Sequence, residues 1–206
     1  MKKTAVLILS VSTLFFASAS QADLPHAFIG ASYGQAKIDS GITGITGTEK
    51  LDEQSNPSKI FAGYDFSNNI SLEASYINFR AITQLGLNAG DRFTFNDTTY
   101  VVLANGTKFK ISGTAYAAAM MYTAPLSSHV GLFGKAGVAT YSFDLDMDSP
   151  TGRNSDTLNG TAFFAGIGGK FQFTKELSLR AEYEYFDSGK DDNVIRMISA
   201  GGSIAF

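Results

Sequence analysis

The sequence predicts an all-β chain, an eight-stranded antiparallel up-and-down transmembrane β-barrel. Three observations predict it. Eight segments alternate apolar side chains with polar or small ones at a period of two, the period at which strand residues point to opposite faces. The connections between these segments alternate between short and long. Beyond the N-terminus no stretch approaches the roughly 20 apolar residues that a membrane-spanning helix needs, yet the chain carries 17 Phe, 9 Tyr and 21 Gly among its 206 residues.

The chain opens with Lys2 and Lys3, an apolar run from Ala5 to Ala17, and small residues ending in Ser20-Gln21-Ala22. That order is expected of a secretory signal peptide over residues 1–22, with the mature chain starting near Asp23. The alternative, an uncleaved anchor, would require a longer apolar run. Residues 23–206 have room for a single barrel domain. Losing Lys2 and Lys3 takes the formal net charge from −3 to −5, and no cluster of Lys or Arg remains to neutralise phosphates, so nucleic acid is excluded as a partner. Cysteine is absent, which removes disulfides, zinc thiolates and cysteine nucleophiles. No cofactor and no metal are expected.

The strands follow in order. Phe28 to Ala36 sets Ile29, Ala31 and Tyr33 against Gly30, Ser32 and Gly34. Lys59 to Phe66 sets Ile60, Ala62, Tyr64 and Phe66 against Lys59, Gly63 and Asp65. Ile70 to Phe79 sets Ile70, Leu72, Ala74 and Tyr76 against Ser71, Glu73 and Ser75. In Ser112 to Tyr122 both faces are small and apolar, and Tyr116, Ala118, Met120 and Tyr122 are assigned outward. Val130 to Tyr141 places Lys135 opposite Val130, Leu132, Ala136 and Val138. Thr161 to Phe173 places Lys170 and Gln172 opposite Phe163, Ala165, Ile167, Phe171 and Phe173. Leu177 to Phe186, LSLRAEYEYF, alternates most strictly: Arg180, Glu182 and Glu184 share one face and Leu179, Ala181, Tyr183 and Tyr185 the other. Ile195 to Phe206 closes the set with Ile198, Ala200, Ile204 and Phe206 opposite Ser199, Gly201 and Ser203.

Lengths of about nine to twelve residues suit tilted membrane strands. Ser67 to Asn69, Ala124 to His129 and Thr174 to Glu176 are the short turns, whereas Lys37 to Ser58, Arg80 to Thr107, Ser142 to Asp156 and Asp187 to Asn193 are the long loops. In outer-membrane barrels the short turns are periplasmic and the long loops extracellular. The second long loop holds its own alternating pair, Arg92 to Phe95 and Thr99 to Leu103, expected as a hairpin projecting past the membrane; the alternative is a ten-stranded barrel.

Lipid belongs on the apolar face, because a sheet survives in hydrocarbon only when closed, and each Lys or Arg on its lipid face at mid-membrane costs about 2–4 kcal/mol. This facing turns Glu73, Lys135, Lys170, Arg180, Glu182 and Glu184 into the lumen, and a slip of one residue would expose all six. It also sorts aromatics into two belts. Tyr64, Phe66, Tyr122, Phe171, Phe173 and Phe206 fall at the turn end, and Tyr76, Phe163, Tyr183 and Tyr185 nearer the loop end.

The interior of an eight-stranded barrel is just wide enough to be filled by side chains, and buried charges must be paired. Three cations, Lys135, Lys170 and Arg180, are expected to face Glu73, Glu182 and Glu184, with Asp65 near the rim, as a packed plug; a gated, low-conductance ion path is the alternative reading. No enzyme is expected: a hydrolytic site would need His and Ser near the outer rim, but His26 precedes the first strand and His129 sits in a short turn beside Ser127 and Ser128. Asp144, Asp146 and Asp148 form a row that fails the calcium-loop pattern and reads as a solvated acidic edge. A soluble ligand-binding barrel would need the reverse facing.

The segments GYDFSNNISLEASY, FFAGIGGKFQFTKELSLRAEYEYF and ISAGGSIAF resemble the transmembrane domain of outer-membrane protein A and its small relatives, a resemblance that covers Ala27 to Phe206. It implies an integral protein of the cell outer membrane with a structural or surface-interaction role through long extracellular loops. It also implies a luminal salt-bridge network to which Glu73, Arg180 and Lys135 correspond. Lys170 stands where that family has an acid. Ile198, Ala200, Ile204 and Phe206 match the terminal signal by which the barrel-assembly machinery recognises such chains. The expected partners are outer-membrane lipid, lipopolysaccharide and that machinery; the chain is expected to be a monomer, and the loop sequences do not reveal an external partner.

Overall fold

The computed structural model describes residues 25–38, 54–66, 68–80, 84–95, 98–150, 152–187 and 194–206. The expected signal peptide, most of the first long loop and most of the last lie outside the described residues. Eight long strands form the barrel: β1 (His26–Ile38), β2 (Ser58–Asp65), β3 (Ile70–Phe79), β4 (Thr107–Pro125), β5 (Val130–Ser149), β6 (Gly152–Gln172), β7 (Leu177–Asp187) and β8 (Val194–Ala205). Each pairs antiparallel with the next, and β8 returns to β1 from Phe28↔Ala205 to Ile38↔Ile195, so the sheet is closed. Closure pairs the backbone all round, as hydrocarbon requires.

The outer surface is apolar by the alternation in the sequence. Ile29, Ile60, Leu72, Met120, Leu132, Leu179 and Ile198 all point outward and are exposed on the isolated chain. Where both faces of the strand were small, in β4, Tyr116, Met120 and Tyr122 are outward and Ala115, Ala117, Ala119 and Met121 are buried inward. At the turn end Tyr64 and Phe66 meet edge to face at 5.1 Å, and Phe171 and Phe173 do so at 4.8 Å. At the opposite end Phe163 and Tyr183 are outward, and the Tyr76 and Tyr116 rings lie 5.1 Å apart.

The turns are tight. Phe66 N–H donates to Ile70 C=O at 2.8 Å, Leu126 N–H to Val130 C=O at 2.8 Å, and Phe173 N–H to Leu177 C=O at 2.9 Å. Asn69 takes φ 64°, the left-handed region that Asn tolerates better than most residues.

At the loop end three strands overrun the expected lengths. β4, β5 and β6 are 19, 20 and 21 residues long. Most of what the sequence assigned to the third loop, Ser142 to Asp156, is therefore strand. The physical reason is that the outward row changes chemistry rather than stopping: Thr114, Ser142 and Asn159 stand in register, followed by Ser112, Asp144 and Thr157. The apolar face ends where lipid ends, while backbone pairing continues into water.

Part of the second long loop joins this projection, because Gln84–Leu87 pairs with Thr107–Lys110. The hairpin of Arg92–Phe95 with Thr98–Val101 is a separate two-stranded sheet, so the barrel has eight strands and not ten.

Inside, the lumen is packed in layers. Toward the loops lies an apolar layer that includes Ile77, Phe79, Phe164, Phe186 and Met197; toward the turns lies a second one of Phe28, Phe61, Met121 and Phe133. Gly30 makes room for the second layer, since a Cβ there would collide with the Phe61 ring. The charged residues lie between the two.

The lipid-facing assignment has a direct test. Ile167 lies mid-strand on the outer face of β6 and is 68% exposed on the isolated chain. Ile167→Arg is expected to cost about 2–4 kcal/mol in urea unfolding from phospholipid vesicles. Ser155→Arg, on the same face of the same strand but above the apolar band, is expected to leave the transition unmoved.

Candidate functional site

The site is the charged layer of the lumen. The strict alternation of β7 places Arg180, Glu182 and Glu184 on its inward face, a stack of one cation and two carboxylates. β2 contributes Lys59, β3 Glu73 and β5 Lys135, so four strands converge on one level.

The contacts are dense. Arg180 grips Glu73 with both terminal nitrogens, Nη1 to Oε2 at 2.6 Å and Nη2 to Oε1 at 3.1 Å, and Nη2 also reaches Glu182 Oε2 at 2.9 Å. The fork of a guanidinium matches a carboxylate in this bidentate way. Lys135 Nζ touches all three carboxylates: Glu73 at 3.1 Å, Glu182 at 2.7 Å and Glu184 at 2.7 Å. Lys59 Nζ bonds Glu184 Oε2 at 2.8 Å and also Glu182. The Ser199 hydroxyl donates to Glu182 Oε1 at 3.3 Å. Three cations thus meet three carboxylates, and every one of the six is buried.

The apolar layers complete the enclosure. The Arg180 guanidinium lies over the Phe61 ring at 3.8 Å and near Phe133 at 5.5 Å, while Lys135 lies 5.9 Å from the centre of Phe164. Such cation–π contacts help desolvated cations. Gly166 gives the cluster its space, because a Cβ there would sit 3.1 Å from Glu184 Cγ, from Lys135 Cε and from the Tyr183 carbonyl.

Two assignments differ from the sequence reading. Lys170 does not join the layer; it is partly exposed, and its nearest carboxylate is Asp65 at 3.8 Å. Lys170 stands directly opposite Arg180 in the β6/β7 ladder. Like charges so placed repel, so Arg180 turns toward Glu73 and Lys170 toward the turn-end mouth. The third cation is instead Lys59, which the alternation placed on the luminal face but the count of pairs left out. Its side chain is among the largest that are fully buried. A lysine at the loop-side end of a strand gives no local signal of its height in the barrel.

The mouth at the turn end holds a smaller polar set. His26 Nε2 lies 3.1 Å from Asp65 Oδ2, and the Ser71 hydroxyl donates to Asp65 Oδ1. His129 is in the exposed turn after β4, its Nδ1 2.9 Å from the Ser128 hydroxyl. The row of Asp144, Asp146 and Asp148 runs up the outward face of the projection, not along a free edge. It is flanked in register by Lys110 and Lys108 on β4, and Arg153 on β6 lies 3.5 Å from Asp146 and 3.4 Å from Asp148. Thr157 Oγ1 donates to Asp144 at 2.9 Å. Ile198, Ala200, Ile204 and Phe206 share the outer face of the closing strand, and Phe206 N–H donates to Ala27 C=O at 2.9 Å.

Removing one member should unbalance the layer. Lys59→Met leaves three carboxylates with two cations and is expected to destabilise the barrel by about 3–5 kcal/mol. Lys59→Met combined with Glu184→Gln restores the count and should recover much of that loss. Urea unfolding of the two variants from vesicles checks this, and equal losses for the single and double variants would contradict it.

A family model described as outer membrane protein beta-barrel domain matches residues 7–206. No curated protein sequence matches the chain. Among solved structures, the attachment invasion locus protein Ail of Yersinia pestis, in complex with the heparin analogue sucrose octasulfate, is similar with a TM-score of 0.57 at 19% identity, covering 89% of this chain and 99% of that one. Neisserial surface protein A is similar at 0.58 and 18%, covering 87% and 97%. The outer membrane protein OprG of Pseudomonas aeruginosa is similar at 0.58 and 14%, covering 88% and 96%. At such identities the likeness is one of fold. With an apolar outer face, a closed ring of eight strands and a family match across residues 7–206, the chain belongs to the outer membrane protein beta-barrel domain family and resides in the cell outer membrane.

Proposed function

We propose that the protein is a sealed outer-membrane barrel that does its work at the extracellular face, in a structural or surface-interaction role, and not by conducting ions. The observation that carries this reading is the filling of the lumen. A neutral set of three cations and three carboxylates spans it, with an apolar layer on either side. An ion entering from either end would leave water for a hydrocarbon-like layer, which gates by exclusion. The projection of β4, β5 and β6 supports the same reading, since it carries ordered backbone well past the apolar band. Ail, similar in fold, was solved with a sulfated ligand bound, which fits a surface role.

In this reading residues 1–22 direct secretion, and Ile198, Ala200, Ile204 and Phe206 are read by the assembly machinery. The partners in the membrane are lipid and lipopolysaccharide, and the protein acts as a monomer without catalytic chemistry.

The test is a planar bilayer. The refolded protein is expected to give no unitary current, and Arg180→Glu, which breaks the neutral layer, is expected to alter the trace only if a path runs through it. Regular current steps from the unmodified protein would overturn the sealed reading in favour of a gated, low-conductance path.

A further inference from the structure

The tripeptide Asn-Gly-Thr occurs twice, beginning at Asn105 and at Asn159. An asparagine before glycine is chemically labile, because glycine sets no side chain beside the backbone nitrogen that can close a ring on the asparagine amide. In sequence the two sites are equivalent. In the fold they are not. Asn159 and Gly160 lie inside β6, paired with Ser142 and Tyr141 in the unbroken β5/β6 ladder, and a Cβ on Gly160 would fall on the Tyr141 ring. Swinging the Gly160 nitrogen toward the Asn159 side chain requires that stretch of ladder to open.

Asn105 and Gly106 are exposed in the turn that ends where β4 begins, at Thr107. Gly106 takes φ 76°, and nothing lies within 4 Å of where its Cβ would stand. Among the described residues no hydrogen bond holds its N–H. The Asn105 side chain, by contrast, is held. Asn88 to Asp91 form a β-turn closed by Asp91 N–H to Asn88 C=O at 3.0 Å, with Gly90 at φ 96° in its third position. Gly90 N–H donates to Val102 C=O at 2.8 Å and Val102 N–H to Asp91 C=O at 2.9 Å, which fixes this turn against the chain leading to Asn105. From that fixed turn the Ala89 N–H donates to Asn105 Oδ1 at 2.8 Å.

We propose that Asn105 is a site of spontaneous deamidation and that Asn159, in the same tripeptide, is not. The Gly106 nitrogen gives its proton to a buffer base and bonds to the side-chain carbonyl carbon of Asn105. The Ala89 N–H already points at the oxygen on which negative charge then develops, the arrangement that stabilises a tetrahedral intermediate. The bond from that carbon to the side-chain nitrogen breaks, the nitrogen takes up a proton and leaves as ammonia, and a succinimide remains. Water opens the ring at either carbonyl to give aspartate or isoaspartate. Both products add a carboxylate at the loop end of the barrel, and in isoaspartate the main chain runs through Cβ. The outward face thus gains charge with the age of the molecule.

The test ages the full mature chain in nanodiscs in mildly alkaline buffer. Mass spectrometry of its tryptic peptides locates each amide lost, and enzymatic methylation counts isoaspartate. Asn105 is expected to convert at least about tenfold faster than Asn159, and the gap is expected to close when the chain is aged in denaturant. Ala89 is the second residue of its turn, and with glycine at positive φ in the third position proline is favoured there. Ala89→Pro therefore removes the donor and keeps the turn. It is expected to slow conversion of Asn105 about tenfold and to leave Asn159 unmoved. No conversion at Asn105, equal conversion of the two asparagines in the folded chain, or conversion of Asn105 indifferent to Ala89→Pro overturns the inference.

Discussion

Hydrocarbon offers no hydrogen-bond partner, and from that single constraint the remainder of the structure follows. A backbone crossing it as strands must pair on both sides, so the sheet closes and β8 meets β1. Closure gives every strand one face toward lipid and one toward the lumen. An outward lysine or arginine is costly, and the lumen of eight strands is too narrow to be a wide aqueous channel. All ionisable groups within the apolar band are therefore driven into a space where they must satisfy one another.

The solution is a balanced layer. Arg180 is the pivot, bidentate to Glu73 and also bonded to Glu182, while Lys135 and Lys59 hold the carboxylates that Arg180 does not exhaust. Because its members come from β2, β3, β5 and β7, the layer ties together strands that are not all neighbours in the sheet. A register slip in any of them would leave a charge without a partner in low dielectric, a heavier penalty than the loss of one apolar contact. Phe61, Phe133 and Phe164 press on the cations and shut water out. In the sealed reading proposed above, the same packing that secures the fold also closes the route an ion would take.

Above the membrane the constraint is lifted. Water satisfies a free strand edge, and both faces can be polar, so β4, β5 and β6 continue with Thr, Ser, Asn and paired charges where they carried alanine and aromatic rings below. The acidic row Asp144, Asp146 and Asp148 belongs to this region, and its charge is answered by Arg153 and the adjacent Lys108 and Lys110.

The sequence by itself determined which way each side chain faces. Facing depends only on the period of two along a strand, so the eight strands, the aromatic belts and the inward turn of Glu73, Lys135, Arg180, Glu182 and Glu184 were all legible. Height was not. Whether two inward residues meet depends on the stagger of strands around the closed sheet, a property of the whole ring and not of any segment. That is why Lys59 lies within the charged layer and Lys170, opposite Arg180 in register, lies below it with Asp65. The true ends of β4, β5 and β6 were hidden for a related reason: the apolar signal marks where lipid stops, and only the paired backbone decides where a strand does.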